Sequence, residues 1–309
     1  MKSAVVLPLT FTPHAGAESW MRQFQDWLCH RLETADGGGG RFKTQEWVHG
    51  GGGGGLTRTL EQGAVLEKSS VALSAVWDVM SQPMARRCRV SDRRYFVASL
   101  HAGLHPRSPM VPSSQLHVRY VEAATGEAWF AGSLDLTPTY VDVAQARWFH
   151  QQLQAMCDLH DAGYYRRFKA GADAHFYLAH RGETRGVGGL FFDRLVVGRD
   201  GLFEELLAFV QDVGEVYGRT YGTLMHQNAG LSYSAPEKHW QQVRRGRYAE
   251  FSLTMERPEP ACACPQSIVL GLPPRAEWYH NHAPTPGSPE AQTLQWLRPG
   301  IDWLSAGAA

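Results

Sequence analysis

One predicted strand carries three chemically capable side chains along a single face. Side chains alternate between the two faces of a strand, so Gln115, His117 and Arg119 point the same way. An amide, an imidazole and a guanidinium in a row can exchange hydrogen bonds with a polar substrate and hold an anion. The pattern predicts either a substrate cleft along this face or a polar strand face turned to solvent.

The elements that position this strand do not alternate strictly between strand and helix. Runs of strands and runs of helices indicate an α+β fold with a largely antiparallel sheet. No internal repeat and no second domain boundary are apparent, so we assign residues 1–17 to an N-terminal extension and 18–305 to a single domain. Apolar spacing predicts helices near 18–34, 142–160, 163–180, 201–228, 235–245 and 289–298, and strands near 64–76, 95–101, 114–122, 127–134, 188–192, 247–255 and 266–272.

Two glycine runs interrupt the first part of the chain. They span Gly37–Gly40 and Gly50–Gly55, and neither has the spacing of a phosphate-binding loop. Glycine-rich segments are typical of flexible linkers, and we predict linkers here.

Composition excludes several classes of partner. The 309 residues include 30 basic and 30 acidic side chains, so no net positive field attracts a nucleic-acid backbone or an anionic membrane. No stretch approaches the roughly 20 apolar residues that a membrane span needs. The 5 cysteines form no CxxC pair, which fits a reducing compartment. We predict a cytoplasmic protein with no nucleic-acid partner and no membrane insertion.

Three longer motifs occur in order along the chain. They are Asp135–Tyr140 (DLTPTY), His180–Asp193 (HRGETRGVGGLFFD) and Arg244–Phe251 (RRGRYAEF). Each resembles a signature of the oxygen-dependent, or aerobic, coproporphyrinogen III oxidase family, and the match is collinear from about residue 20 to residue 304. The sequence is identified as a divergent member of that family.

The resemblance implies an architecture and a reaction. It implies a large, flat, mostly antiparallel sheet covered by helices on both faces, and a homodimer. A cleft between sheet and helices would hold a small-molecule porphyrinogen. Two of its propionates would be oxidatively decarboxylated to vinyl groups, with dioxygen as oxidant and no organic cofactor.

The resemblance also implies roles for residues. The acid at the Asp135 position lies close to the Arg119 equivalent in the family and is proposed to anchor pyrrole nitrogens. An arginine beside an aspartate keeps the carboxylate ionised and available as an acceptor or base; the alternative is a purely structural ion pair or helix cap. We assign catalytic roles to Asp135, Arg119, His117 and Gln115, and substrate binding to His101, Arg58 and Arg247.

Imidazoles from separated segments form a second candidate set. Three of them occupy histidine positions of the family, whose fourth such position is Gln115 in this chain. Neutral imidazole is the commonest metal ligand, and a histidine-rich site suits transition metals better than magnesium. The alternative is that these histidines serve only as hydrogen-bonding groups of the core or cleft. For copper, iron, manganese or zinc, the candidate ligands are His101, His105, His117, His150 and His180.

The substrate wall departs from the family pattern. The family's arginine-containing loop is shortened here to 258–265, which holds no basic residue. Glu277 stands where the family usually has arginine, and Leu56 replaces another arginine. Because bidentate arginine contacts fix carboxylates, these losses predict a smaller or less anionic substrate.

Three functions remain open from the sequence. The first is an oxygen-dependent oxidative decarboxylase of this family with an altered substrate. The second is a histidine-ligated, metal-dependent oxidase or oxygenase on the same scaffold, acting in a specialised pathway. The third is a non-catalytic protein that binds a tetrapyrrole or a metal. Fold alone does not choose among them.

Overall fold

The computed structural model describes residues 14–255 and 269–307. Seven strands form one sheet in the order β1-β2-β3-β4-β5-β6-β9, and every neighbouring pair is antiparallel. The predicted α+β class and antiparallel sheet are therefore confirmed. The strands are β1 Lys43–Val48, β2 Gly53–Glu61, β3 Leu66–Val79, β4 Arg94–Pro106, β5 Ser113–Ala123, β6 Ala128–Thr137 and β9 Gly188–Val196, and a separate ribbon pairs β7 Tyr177–Leu178 with β8 Glu183–Thr184.

Helices lie on both faces of this sheet. Several begin at side-chain caps that satisfy free backbone N–H groups: Asp142, for example, accepts a hydrogen bond from Gln145 N at 3.0 Å. None of the described helices is long and apolar enough to cross a bilayer. The helices are α1 Ala15–Asp36, α2 Gln82–Cys88, α3 Val143–Asp158, α4 Tyr164–His175, α5 Phe203–Asn228, α6 Ala235–Thr254 and α7 Pro289–Trp296.

The two faces of the sheet differ in chemistry. One face carries Val71, Ala102, Leu116, Leu134 and their neighbours, which pair in register and pack into the main apolar core with α1, α3 and α5. Alternate residues point to the opposite face, which is polar along the middle of the sheet. We call this surface the polar face. Its members are Ser70, Ala72 and Ser74 of β3, Ser99, His101, Gly103 and His105 of β4, Gln115, His117 and Arg119 of β5, and Ser133 and Asp135 of β6.

Two helices cover the ends of the polar face. At one end α2 packs Met84 and Cys88 into a small apolar cluster with Val97 and Trp129. At the other end α6 places Tyr248 against His105, with ring centroids 5.0 Å apart. The half-buried His101, His117 and Arg119 lie between these ends. The fold thus places the row of side chains on β5 between two covering helices, and the predicted cleft along this row stays a prediction.

Three predicted elements around α4 and α6 are wrong. Residues 247–255 are not a strand, because α6 continues to Thr254. Its apolar residues Tyr248 and Phe251 are buried three positions apart, which is helical spacing rather than alternation. Of the predicted strand 266–272, residues 269–271 are helical and 266–268 lie outside the described residues. The helix predicted to residue 180 ends at His175.

The second glycine run is also not a linker. Gly53 to Gly55 form the start of β2, between β1 and β3. A Cβ at Gly53 would lie 2.1 Å from the Ala75 carbonyl oxygen, and one at Gly55 would lie 2.5 Å from the Trp47 ring. Close approach of neighbouring strands and of Trp47, rather than flexibility, explains these glycines.

Candidate functional site

A buried ion pair lies on the polar face where β6 meets the segment after β8. Arg185 Nε donates to Asp135 Oδ2 at 3.0 Å, and Arg185 Nη2 donates to Oδ1 at 2.7 Å. Thr137 Oγ1 donates to Oδ2 at 2.8 Å. The Arg185 and Asp135 side chains are 0% and 1% exposed. This two-pronged, charge-assisted geometry fixes both groups relative to each other.

The Arg185 guanidinium is also enclosed by aromatic rings and an amide. Its central carbon lies 4.5 Å from the Phe176 ring, 4.8 Å from Tyr248 and 4.7 Å from Phe251. Its Nη1 donates to Gln115 Oε1 at 2.8 Å, and the Tyr248 hydroxyl donates to the same oxygen at 3.0 Å. Attraction between the cation and the ring faces adds to the ion pair in holding the arginine. Gln115 and Asp135 therefore meet through Arg185.

The partner expected for Asp135 requires correction. The register places Arg119 opposite Ala131, four residues before Asp135 on β6. Arg119 instead forms an ion pair with Asp193 of β9, with 3.4 Å between Nη2 and Oδ1. Because side chains on one strand face repeat every second residue, Asp135 and Arg119 share the polar face without being direct neighbours.

His101 and His117 lie side by side on the polar face. They are register partners on β4 and β5, and their ring centroids are 6.0 Å apart. Burial holds the pKa of His117 well below its ordinary range, and the nearby Arg119 cation lowers it further. His117 is therefore neutral near pH 7 and can exchange hydrogen bonds without carrying charge.

His105 lies on the same face but deeper, beneath α6. It is completely buried, and its Nε2 hydrogen-bonds the Gly271 carbonyl oxygen at 2.8 Å. Since a carbonyl only accepts, Nε2 carries the proton and Nδ1 is the acceptor. Burial lowers the pKa of His105 to about 3. His105 thus joins β4 to the segment after residue 268.

His150 belongs to the helical core on the other side of the sheet. Its Nε2 lies 3.0 Å from the Val187 carbonyl oxygen, and its Nδ1 lies 3.1 Å from the Tyr165 hydroxyl. The ring stacks on Trp303 at 5.8 Å, which ties the C-terminal segment to α3. Burial lowers the pKa of His150 to about 3. These contacts give it a structural role.

His180 and Arg247 lie on the outer side of α6. His180 is 55% exposed, and its Nε2 contacts Glu250 Oε1 at 2.5 Å. Glu250 also accepts from Arg181 and from Arg247, whose Nη1 lies 3.3 Å away. Arg247 therefore does not point toward the polar face. Together with Glu277 it lines a separate pocket of about 180 Å³.

Arg58 lies on the apolar side of the sheet. It pairs in register with Val71 of the main core, and its Nη2 contacts Asp26 Oδ1 of α1 at 2.5 Å. The structure thus does not bring Arg58 to His101 and His117. Of the three predicted substrate-binding residues, only His101 lies on the polar face.

The five candidate ligands do not converge. His101 and His117 are neighbours. His105 lies beneath α6, His150 lies in the core and His180 lies on the outer side of α6. Within residues 14–255 and 269–307, no group of three or more histidine, cysteine, aspartate or glutamate side chains is placed to hold a metal ion. Stable transition-metal sites in proteins use three or four such donors. The described residues do not fit a metal centre.

Sequence reasoning missed the two residues that organise the polar face. Arg185 stands inside the His180–Asp193 motif but was given no role, and Asp193 closes that motif. The sequence does not distinguish Arg185 from Arg181 in the same motif, because the burial of Arg185 depends on the fold. The shortened loop 258–265 lies outside the described residues.

Comparison with known proteins defines the class to which this fold and site belong. The profile of the family described as coproporphyrinogen III oxidase matches residues 16–303. The chain belongs to this family.

One relative illustrates the likeness. The protein named oxygen-dependent coproporphyrinogen-III oxidase, chloroplastic, from Glycine max is 35% identical over 306 residues. The alignment covers 93% of this chain and 78% of that protein. The resemblance drawn from the three motifs is thereby confirmed over most of the sequence.

Proposed function

We propose that this protein is an oxygen-dependent oxidative decarboxylase that acts on a porphyrinogen-like substrate with fewer carboxylates than coproporphyrinogen III. Family membership and the name of the Glycine max relative support the oxidase activity. In the reaction a propionate loses CO₂ and, formally, a hydride to become a vinyl group, and dioxygen accepts the two electrons. One observation supports the altered substrate: of the three arginines expected to hold its carboxylates, Arg58, Arg119 and Arg247, only Arg119 lies on the polar face.

The arginines expected to hold propionates are dispersed in the fold. Arg58 is paired with Asp26 on the opposite side of the sheet, and Arg247 is paired with Glu250, three residues later on α6. Arg119 remains on the cleft floor. The other buried arginines of α6 are also engaged, since Arg244 pairs with Glu183 and Arg245 with Glu67.

The residues of the polar face have different proposed roles. Asp135 is the acceptor for pyrrole N–H groups, and Arg185 fixes its orientation. Because Asp135 is completely buried, its contact with substrate requires a local opening of the covering elements. Arg119 holds one carboxylate, while His101 and the neutral His117 hydrogen-bond the substrate between these two points. Gln115 supports Arg185 from the side.

The metal-dependent alternative receives less support. His101 and His117 are the two candidate ligands that lie together, and two donors fall short of a stable site.

Three properties remain part of the proposal. Residues 18–305 form the catalytic domain, although α1 already begins at Ala15. The active species is a homodimer, and the protein acts in the cytoplasm. Sedimentation equilibrium and cell fractionation test the last two.

The decisive experiment compares substrates at equal concentration. Oxygen uptake and vinyl product are measured with coproporphyrinogen III and with porphyrinogens that carry two or three carboxylates, using an established family enzyme as reference. We expect the less carboxylated substrates to be preferred. Turnover of coproporphyrinogen III at the rate of the reference enzyme would contradict the altered substrate, and no oxygen uptake with any porphyrinogen would contradict the oxidase.

A further inference from the structure

Positive charge is concentrated around the end of α2. Residues 84–94 contain five arginines and one aspartate, which is a surplus of four positive charges. The whole chain has 30 basic and 30 acidic side chains, so the remaining residues carry a surplus of four negative charges. A carboxylated ligand is therefore drawn toward this end of the molecule and, on average, repelled elsewhere. We call this surface the arginine cluster, and its members are Arg86, Arg87, Arg89, Arg93 and Arg94.

The local fold turns the arginine cluster toward water. α2 buries Met84 and Cys88, whereas Arg86 and Arg87 between them are exposed. Both arginines lie in the last helical turn, where positive side chains interact favourably with the helix dipole. Arg89 ends the helix in a left-handed conformation with φ 57° and is also exposed. These charges face solvent rather than the apolar cluster beneath α2.

The arginine cluster adjoins one end of the polar face. α2 packs on Val97 of β4 and Trp129 of β6. Ser99, the first residue of the polar face on β4, lies on the same side of the sheet about 7 Å further along the strand than Val97. The cluster thus lies where a ligand would reach the polar face from the α2 end.

The positive surplus remains after the neighbouring carboxylates are counted. Asp92 is engaged by Arg94, whose Nε donates to Oδ2 at 2.9 Å. Arg194 of β9 holds the end of α2 in place, because its Nη1 donates to the Arg87 carbonyl oxygen at 3.2 Å. Arg194 follows Asp193 in the sequence, so adding these two residues leaves the surplus at four.

We infer that the arginine cluster is an electrostatic entry surface for the carboxylates of the substrate, which it draws to the α2 end of the polar face. This inference rests on the proposed function, because it takes the polar face as the place where the substrate binds. Charges at the rim of a binding site act mainly on the association rate, whereas buried charged contacts act mainly on dissociation. The cluster therefore speeds the binding of carboxylated ligands without taking part in the reaction.

The test measures the association rate of coproporphyrin III, which is fluorescent and already oxidised, by stopped-flow fluorescence. Arg86→Gln/Arg89→Gln removes two charges of the cluster, and Arg86→Lys/Arg89→Lys keeps them. The matched control is Arg22→Gln/Arg219→Gln, which removes two charges from ion pairs on α1 and α5, on the opposite face of the sheet. Each protein is measured at ionic strengths of about 0.01 M and about 0.15 M, where the screening lengths are about 30 Å and about 8 Å.

Loss of the two charges should slow association. We expect Arg86→Gln/Arg89→Gln to lower kon about three- to tenfold at the lower ionic strength, with koff and the kcat for the preferred porphyrinogen unchanged. The difference from the wild type should shrink at the higher ionic strength, because salt screens exposed charges. The lysine variant should resemble the wild type because it keeps the charge, and the control should do so because its charges lie on the other face.

Each other result counts against the inference in a distinguishable way. An unchanged kon in the glutamine variant overturns it, as does an equal fall in the control or failure of the wild type to bind the porphyrin. An equal fall in the lysine variant also overturns it, since a contact specific to guanidinium would then be responsible. If kon depends on Arg86 and Arg89 as expected but no porphyrinogen supports oxygen uptake, the proposed reaction fails while the entry surface stands.

Discussion

Arg185 donates hydrogen bonds to both carboxylate oxygens of Asp135 in a site that solvent does not reach. The pair joins two parts of the family signature that are 50 residues apart. Breaking a buried pair by removing one partner leaves an uncompensated charge, which is strongly destabilising. Substitutions here must therefore be judged on folded protein, with a control that separates stability from chemistry.

Replacing Asp135 with asparagine should abolish most activity. The neutral amide keeps the shape of the side chain but lacks the negative charge with which the carboxylate accepts hydrogen bonds from pyrrole N–H groups. We therefore expect kcat to fall about a hundredfold or more. The matched control is Asp36→Asn. Asp36 is the buried last residue of α1, and its carboxylate accepts hydrogen bonds from the backbone N–H groups of Ala64, Val65 and Leu66 at the start of β3.

The control variant should lose stability without losing turnover per folded molecule. Circular dichroism and thermal melting establish the folded fraction, and oxygen uptake is normalised to it. Equal activity of folded Asp135→Asn and Asp36→Asn would show that Asp135 is only structural.

Removing the Tyr248 hydroxyl should have a moderate effect. Tyr248→Phe keeps the ring against Arg185 but removes one of two donors to Gln115 Oε1. A typical hydrogen bond contributes about 1 kcal/mol, so we expect kcat to change by about fivefold or less. Gln115→Ala removes both contacts and should cost more. Steady-state kinetics at saturating oxygen rank the variants, and equal losses in the two would contradict this arrangement.

Sequence reasoning located the site's strands but not its contacts. Period-two alternation on β5 correctly grouped Gln115, His117 and Arg119, because that rule follows from strand geometry alone. It did not reveal that Arg185 is the partner of Asp135, since long-range pairing depends on how β8 folds back against α6. The residue type also does not indicate how deeply a histidine is buried. His150 lies in the core, whereas His180 lies at the surface.

Chelation should leave oxygen uptake intact. The candidate histidines are dispersed, so loss of a weakly bound ion should not affect the reaction centre. If a metal were required, its removal should abolish most of the activity. Even substitution of residues that hydrogen-bond metal ligands typically lowers metal affinity or activity about 10–100-fold. Bound copper, iron, manganese and zinc are measured by mass spectrometry before and after dialysis against chelator. Activity that disappears with a metal and returns on its addition would restore the metal-dependent alternative.

The buried histidines should make the fold sensitive to acid. The pKa of His150 falls from its ordinary 6.5 to about 3 because burial disfavours the charged ring. Between these values the unfolded chain binds a proton that the native protein does not, so the free energy of unfolding decreases as pH falls. The stabilisation is complete above about pH 6.5 and is progressively lost below it. From pH 7 to pH 5 this one group should remove about 2 kcal/mol.

The change in slope identifies the histidine responsible. His150→Gln keeps a donor for the Val187 carbonyl but cannot take up a proton, so it should lower stability at pH 7 and flatten the pH dependence by about 2 kcal/mol over the same window. Urea unfolding at pH 7, 6 and 5 gives the slopes. A slope that is the same in wild type and His150→Gln would mean that His150 is charged in the native protein, contrary to its complete burial against Trp303.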